Sequence, residues 1–282
     1  MNDFDDLPKD GAPTRGDVDL VKLDKEHPGF RDPLYRARRN DIARAALNWR
    51  FGQPVPEIAY TPEENAVWKT ALANLSPLHA KYACREFKEC WPELKFKPDR
   101  IPEFSELNGT IVPLTGMHLV PVAGLVTPRV FFVELGQGLF LGTQYIRHGS
   151  APLYTPEPDV IHELVGHAAL LAHPEFARVN RRFGEVAAKA DEATVQKLIR
   201  VYWYTLEFGV VKSPRGLEVV GAGLLSSYGE LGRFEQKATL LPFDLEKVAA
   251  TPFDPTDYQG TLFVAESAEA LLSELNDWLD VL

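Results

Sequence analysis

Apolar positions recur at helical spacing along much of the chain. Asp32-Pro33 sets a capping residue before a proline suited to a first helical turn, and Tyr35, Arg38, Ile42, Ala45 and Trp49 follow in steps of three and four, with Gly52 near the stop. Thr61-Pro62-Glu63-Glu64 reads as a capping box, with Trp68, Leu72 and Leu75 on one face behind it. Residues 191–209 read as a helix ended by Gly209. Ser267 caps the last segment, where Leu271, Leu275, Trp278, Leu279 and Leu282 line one side. Strand patterns are fewer. Residues 118–126 and 129–135 are apolar and rich in β-branched or aromatic side chains, with Thr127-Pro128 between them, which predicts a hairpin or two short strands. Residues 98–116 carry little periodicity and read as a long surface connection. The expected fold class is mainly α with a small antiparallel β element.

Composition narrows the picture. Residues 1–20 hold few apolar groups and several Pro, Gly and Asp, and are expected to be a mobile tail. Residues 21–282 show no linker or repeat and are read as a single domain. The 40 acidic and 30 basic side chains leave a net charge of −10, which argues against nucleic acid or an anionic membrane as partner. Two cysteines, Cys84 and Cys90, exclude a disulfide scaffold and suit a reducing compartment. No apolar run is long enough to cross a bilayer, and the amino terminus lacks the pattern of a signal peptide, so cytoplasmic residence is expected.

The densest chemistry lies in Pro158-Asp159-Val160-Ile161-His162-Glu163-Leu164-Val165-Gly166-His167. Zinc proteases place their histidines four apart, on one helical face. Five residues of regular helix turn ~500°, which leaves the two imidazoles ~140° apart. They converge only at a helix end or an irregular turn, which Gly166 would permit. The plainer alternative is two unrelated histidines near a surface. Glu207, however, sits in the apolar run Tyr202-Trp203-Tyr204-Thr205-Leu206-Glu207-Phe208-Gly209, where a buried carboxylate needs a partner or a metal. Two histidines and one carboxylate make the facial triad of non-haem Fe(II) oxygenases, which leaves positions open for oxygen and substrate.

These motifs, with Gln144-Tyr145-Ile146-Arg147-His148-Gly149-Ser150, Tyr154-Thr155-Pro156-Glu157-Pro158-Asp159 and Gly221-Ala222-Gly223-Leu224-Leu225-Ser226-Ser227-Tyr228-Gly229-Glu230, resemble the pterin-dependent aromatic amino acid hydroxylases, most of all the branch acting on phenylalanine. The resemblance runs from about His27 to Ser267. It implies a mostly helical, iron-binding catalytic domain that uses Fe(II), a tetrahydropterin and O2 to hydroxylate an aromatic amino acid. It implies that His162, His167 and Glu207 are the iron ligands and that Arg147 holds the substrate carboxylate. Thr155, Trp203, Gly223 and Ser226 match positions around the amino acid. Phe131, Glu163 and Val126 match positions around the pterin. Arg85, Leu141, Pro255 and Ala168-Ala169 depart from the family pattern. Neither an amino-terminal regulatory domain nor a carboxy-terminal tetramerisation helix is expected, hence a monomer. The competing readings are a tryptophan hydroxylase or another ring position within the family, a zinc hydrolase with Glu163 as base, and a non-catalytic binding protein.

Overall fold

The computed structural model describes residues 20–282, so the expected tail over 1–20 lies, Leu20 apart, outside the described residues. The expected helices form with their expected caps. Asp32 accepts hydrogen bonds from the backbone N–H groups of Leu34 and Tyr35 and opens the helix Pro33–Asn48, whose buried face is Arg39, Ile42, Ala43 and Ala46. Thr61 and Glu64 complete the capping box of Pro62–Tyr82, which buries Trp68, Leu72 and Leu75. Ser267 caps Ala268–Asp280, which buries Leu271, Leu272, Leu275 and Leu279, while Leu282 lies beyond the helix and is exposed.

The mainly α class with small sheets stands, and the strand pairing is mixed. Strands β1 (His118–Val122) and β2 (Leu139–Thr143) pair in parallel. A second sheet holds β3 (Val210–Ser213), β4 (Gly216–Val219), β5 (Thr239–Pro242) and β6 (Thr261–Ala265) in the order β4-β3-β6-β5. There β3 and β4 run antiparallel, and β6 lies parallel to both β3 and β5.

Two expectations fail. Residues 129–135 belong to the helix Pro128–Gly136, which carries the chain from β1 across to β2, and no hairpin forms. The Thr127-Pro128 pair acts as a helix start, with the Thr127 hydroxyl accepting from Val130 N–H. This helix packs so closely on Pro174–Ala187 that a Cβ on Gly184 would lie 2.0 Å from Gly136 N. Residues 98–116 contain the helix Phe104–Thr115, which buries Phe104, Leu107 and Ile111. Pro113 near its end obscures the pattern, and Gly116, at φ +69°, ends the helix.

Candidate metal centre and adjoining pocket

His162 opens the stretch His162–Ala168, which is wound as a π-helix. With i→i+5 hydrogen bonding, residues five apart stand one above the other. The spacing that splays two imidazoles on a regular helix therefore aligns these two, with Nε2 atoms 3.0 Å apart. Gly166 has an ordinary φ, so its role is close approach and not an unusual turn. A Cβ there would meet Ala222 O at 2.6 Å, and that approach brings the helix Ala222–Ser226 against the histidines.

Glu207 ends a second π-helical stretch, Trp203–Glu207, which continues the helix Glu192–Tyr202. Its Oε1 lies 3.2 Å from His167 Nε2 and its Oε2 3.6 Å from His162 Nε2. Two nitrogens and a carboxylate thus converge on one point.

Ser226 sets the proton on His162. The hydroxyl donates to Ala222 O at 2.8 Å, so at its 3.0 Å contact it accepts from His162 Nδ1. With the proton on Nδ1, the Nε2 lone pair faces the convergence point, as a metal ligand requires. Burial pushes the His162 pKa down to about 4 despite Glu207 nearby, which keeps the ring neutral. Burial also acts to lower His167, but the Glu207 carboxylate overrides it and the net direction is upward. Burial acts to raise Glu207, and the His167 imidazole more than offsets it, so the carboxylate stays ionised. This donor set fits one borderline cation of the kind bound by two imidazoles and a carboxylate.

Glu163 lies close enough to compete as a ligand, since its carboxylate and both imidazoles fall within 4.8 Å of one another. Its Oε1 already accepts from Thr143 N–H and the Thr143 hydroxyl, each at 3.0 Å. Burial pushes its pKa up to about 7, so it gives up its proton far less readily than an ordinary carboxyl. Glu207, ionised and aimed at both Nε2 atoms, is the better third ligand.

Beside the centre opens a pocket of about 270 Å³, near the small end of small-molecule sites. Arg147, Thr155, His162, Trp203, Glu207, Gly223 and Ser226 all line it. Trp203 stacks on Phe253 with centroids 4.2 Å apart, and Phe208, which sequence alone leaves as packing, forms part of the wall. A Cβ on Gly223 would lie 2.6 Å from the Phe208 ring and 3.0 Å from Glu207 O, so a side chain there would displace the ring from the pocket wall. Arg147 is buried and makes a two-pronged ion pair with Asp159 at 2.8 Å, and its Nη1 makes no hydrogen bond to the described residues. Asp159 Oδ1 also accepts from His162 N–H at 3.3 Å, tying the arginine to the metal helix. Burial acts to raise Asp159, and Arg147 outweighs it, leaving the carboxyl below the usual range.

Sequence reasoning assigned no role to Asp159 or Thr143; Asp159, three residues before His162 in a helix-start position, was a readable signal, and Thr143 had none. Phe131 stands apart from this pocket, half-buried among Phe132, Phe140 and Tyr202, and Phe140 in turn touches the His167 ring at 4.6 Å. Val126 lies just before that helix, also half-buried. Tyr202 donates to Asn180 and serves packing. Of the positions that depart from the family pattern, Pro255 lines the pocket, Arg85 is exposed and pairs with Glu86, Leu141 sits on β2, and Ala168-Ala169 are buried.

The sequence profile of the biopterin-dependent aromatic amino acid hydroxylases matches residues 17–282. Phenylalanine-4-hydroxylase of Bos taurus is 43% identical over 252 residues, 88% of this chain and 56% of the relative. Tyrosine 3-monooxygenase of Mus musculus is 40% identical over 261 residues, 91% of this chain and 52% of the relative. The chain thus spans about half the length of the curated relatives it matches. The crystal structure of Chromobacterium violaceum phenylalanine hydroxylase, which holds iron(III) and oxidised 7,8-dihydrobiopterin, superposes with a TM-score of 0.76 at 33% identity, over 85% of this chain and 90% of that one.

Proposed function

The chain belongs to the biopterin-dependent aromatic amino acid hydroxylase family, and from that premise we propose that it is a monooxygenase that converts L-phenylalanine to L-tyrosine with O2 and a tetrahydropterin. His162, His167 and Glu207 hold Fe(II). Glu163, Phe131 and Val126 serve the pterin. Thr155, Trp203, Gly223 and Ser226 shape the amino acid pocket. The observation that carries this reading is the convergence of His162, His167 and Glu207 beside a small pocket that His162, Glu207 and Arg147 line.

Bound at these sites, iron and reduced pterin together supply the redox chemistry that activates O2. The protein supplies position. Asp159 stiffens Arg147, whose free nitrogen takes the substrate carboxylate and so fixes how far the ring reaches. Trp203, stacked on Phe253, and Phe208 give the ring an aromatic wall. Ser226 keeps the His162 proton on Nδ1. The zinc hydrolase reading loses support because Glu163 is tied to Thr143 and does not line the pocket.

The working unit in this reading is a monomer. Cys84 and Cys90 are free, which suits a reducing, cytoplasmic setting. Among the described residues no helix is long and apolar enough to cross a membrane.

The deciding experiment is product analysis on phenylalanine, tryptophan and tyrosine side by side, with Fe(II) and a reduced pterin. Tyrosine formed from phenylalanine at the highest kcat/KM is the expected result. A preference for tryptophan, or a mainly meta-hydroxylated product, would overturn the substrate assignment.

A further inference from the structure

The segment 253–259 closes one side of the amino acid pocket with Pro255, Thr256, Asp257, Tyr258 and Gln259, yet it belongs to no helix or strand. Its shape rests on side-chain bonds: Asp254 Oδ1 accepts from the backbone N–H and hydroxyl of Thr256, and the largest group of bonds meets at Gln259. The Oε1 of Gln259 accepts from Trp203 Nε1 at 2.9 Å. Its Nε2 donates to the carbonyls of Asp254 and Asp257 at 2.8 and 2.9 Å. Its backbone N–H donates to Glu230 Oε1 at 2.9 Å. The amide orientation follows from chemistry, because a flipped amide would set its NH2 against the indole N–H. At the other end of the segment, the Phe253 ring stacks on Trp203 at 10° between planes. Trp203 is therefore gripped from both ends of one loop, by stacking at Phe253 and by a hydrogen bond at Gln259.

We propose that Gln259 is a positioning residue that locks the Trp203 indole to the 253–259 segment, and through that lock sets the pocket width and the choice between aromatic rings. The lock itself is geometric; its consequence for ring choice rests on the functional reading above. Gln259 touches no donor of the metal centre. Its side chain satisfies a half-buried indole N–H and two solvent-exposed loop carbonyls at once, so an apolar replacement breaks the tie between them and leaves the carbonyls to water.

The test compares Gln259→Leu with Gln259→Glu. The leucine variant removes all three side-chain bonds at similar size. The glutamate variant keeps the acceptor for Trp203 and loses the two donors to the loop. The Trp203 indole resonance is assigned among the five tryptophans with Trp203→Phe as reference. In Gln259→Leu this resonance should move upfield, and the KM for phenylalanine should rise about 3- to 10-fold while the pterin KM holds. The phenylalanine-to-tryptophan ratio of kcat/KM should also change. Gln259→Glu should keep the indole resonance near its wild-type position but still raise the phenylalanine KM, because a carboxylate oxygen cannot donate to the two loop carbonyls. An unmoved resonance in Gln259→Leu, an equal rise in the phenylalanine and pterin KM values, or a wild-type phenylalanine KM in Gln259→Glu would overturn the proposal. Wild-type protein that turns over no aromatic amino acid would overturn the functional reading alone, since the indole resonance decides the lock without turnover.

Discussion

Arg147 and Asp159 face each other through two parallel charge-assisted hydrogen bonds, Nε to Oδ2 and Nη2 to Oδ1, each 2.8 Å, with both side chains shut off from solvent. The Arg147 backbone N–H adds a third bond to Asp159 Oδ2 at 2.8 Å. Such a pair is costly to break, because removing one partner leaves the other charged and buried. Asp159→Asn is expected to raise the amino acid KM roughly 10- to 100-fold while barely moving the pterin KM. It should also lower stability by about 3–5 kcal/mol, read as a fall in midpoint in urea. Arg147→Ala should show the same split between the two KM values. If the amino acid KM is unchanged in both variants, Arg147 does not hold the substrate.

The convergence of His162, His167 and Glu207 predicts one Fe(II) per chain. Excess Fe(II) should stabilise the apo protein by about 2.7 kcal/mol at a hundredfold over its dissociation constant. Zinc should stabilise as well but support no turnover, because it has no redox chemistry. His162→Ala or His167→Ala should lose the metal-induced rise in Tm while remaining folded. Full hydroxylation by a zinc-only preparation would contradict the assignment.

Ser226 accepts from His162 Nδ1, so Ser226→Ala should free the ring to adopt the wrong tautomer. Loss of such a supporting bond costs about 10- to 100-fold in metal affinity. Competition between the protein and a chelator for Co(II) measures this directly. Equal affinities for wild type and variant would mean that packing alone orients the imidazole.

His79 is buried, contacts Leu225 O at 2.7 Å and packs against Phe87 and Trp91. Burial lowers its pKa to about 4, from an ordinary value of 6.5. The unfolded chain binds this proton first, so the stabilisation is complete above pH ~6.5 and is lost as pH falls through about 4. The loss amounts to at most about 3 kcal/mol. His79→Gln can still donate to Leu225 O and cannot titrate, so its urea midpoint should fall less steeply between pH 6.5 and 4. Parallel curves for both proteins would show that His79 does not contribute to the acid sensitivity.

Pro255 lines the pocket in the segment that Gln259 holds. Proline fixes φ and removes a backbone donor, and small shifts of a pocket wall alter discrimination between rings by ~1–3 kcal/mol. Pro255→Val is expected to change the phenylalanine-to-tryptophan ratio of kcat/KM without altering iron content. A constant ratio would place ring choice elsewhere in the wall.

The sequence by itself determined what depends on near neighbours. Helix starts at Asp32, Thr61 and Ser267 were legible because a capping side chain bonds to backbone two or three residues away. That Glu207 has a buried partner was legible because an isolated carboxylate in an apolar run demands one. Tertiary structure decided the rest. Thr127-Pro128 reads equally as a strand break or a helix start, and the helix that follows it is pressed against Pro174–Ala187 at Gly136 and Gly184. Asp159 and Gln259 gained their roles from partners 12 and 56 residues away in sequence. The five-residue histidine spacing, which argues against a shared site on a regular helix, became one in a π-turn. No local propensity encodes that turn; its surroundings, with Ala222 against Gly166 and Glu207 facing both imidazoles, are assembled from segments far apart in the chain.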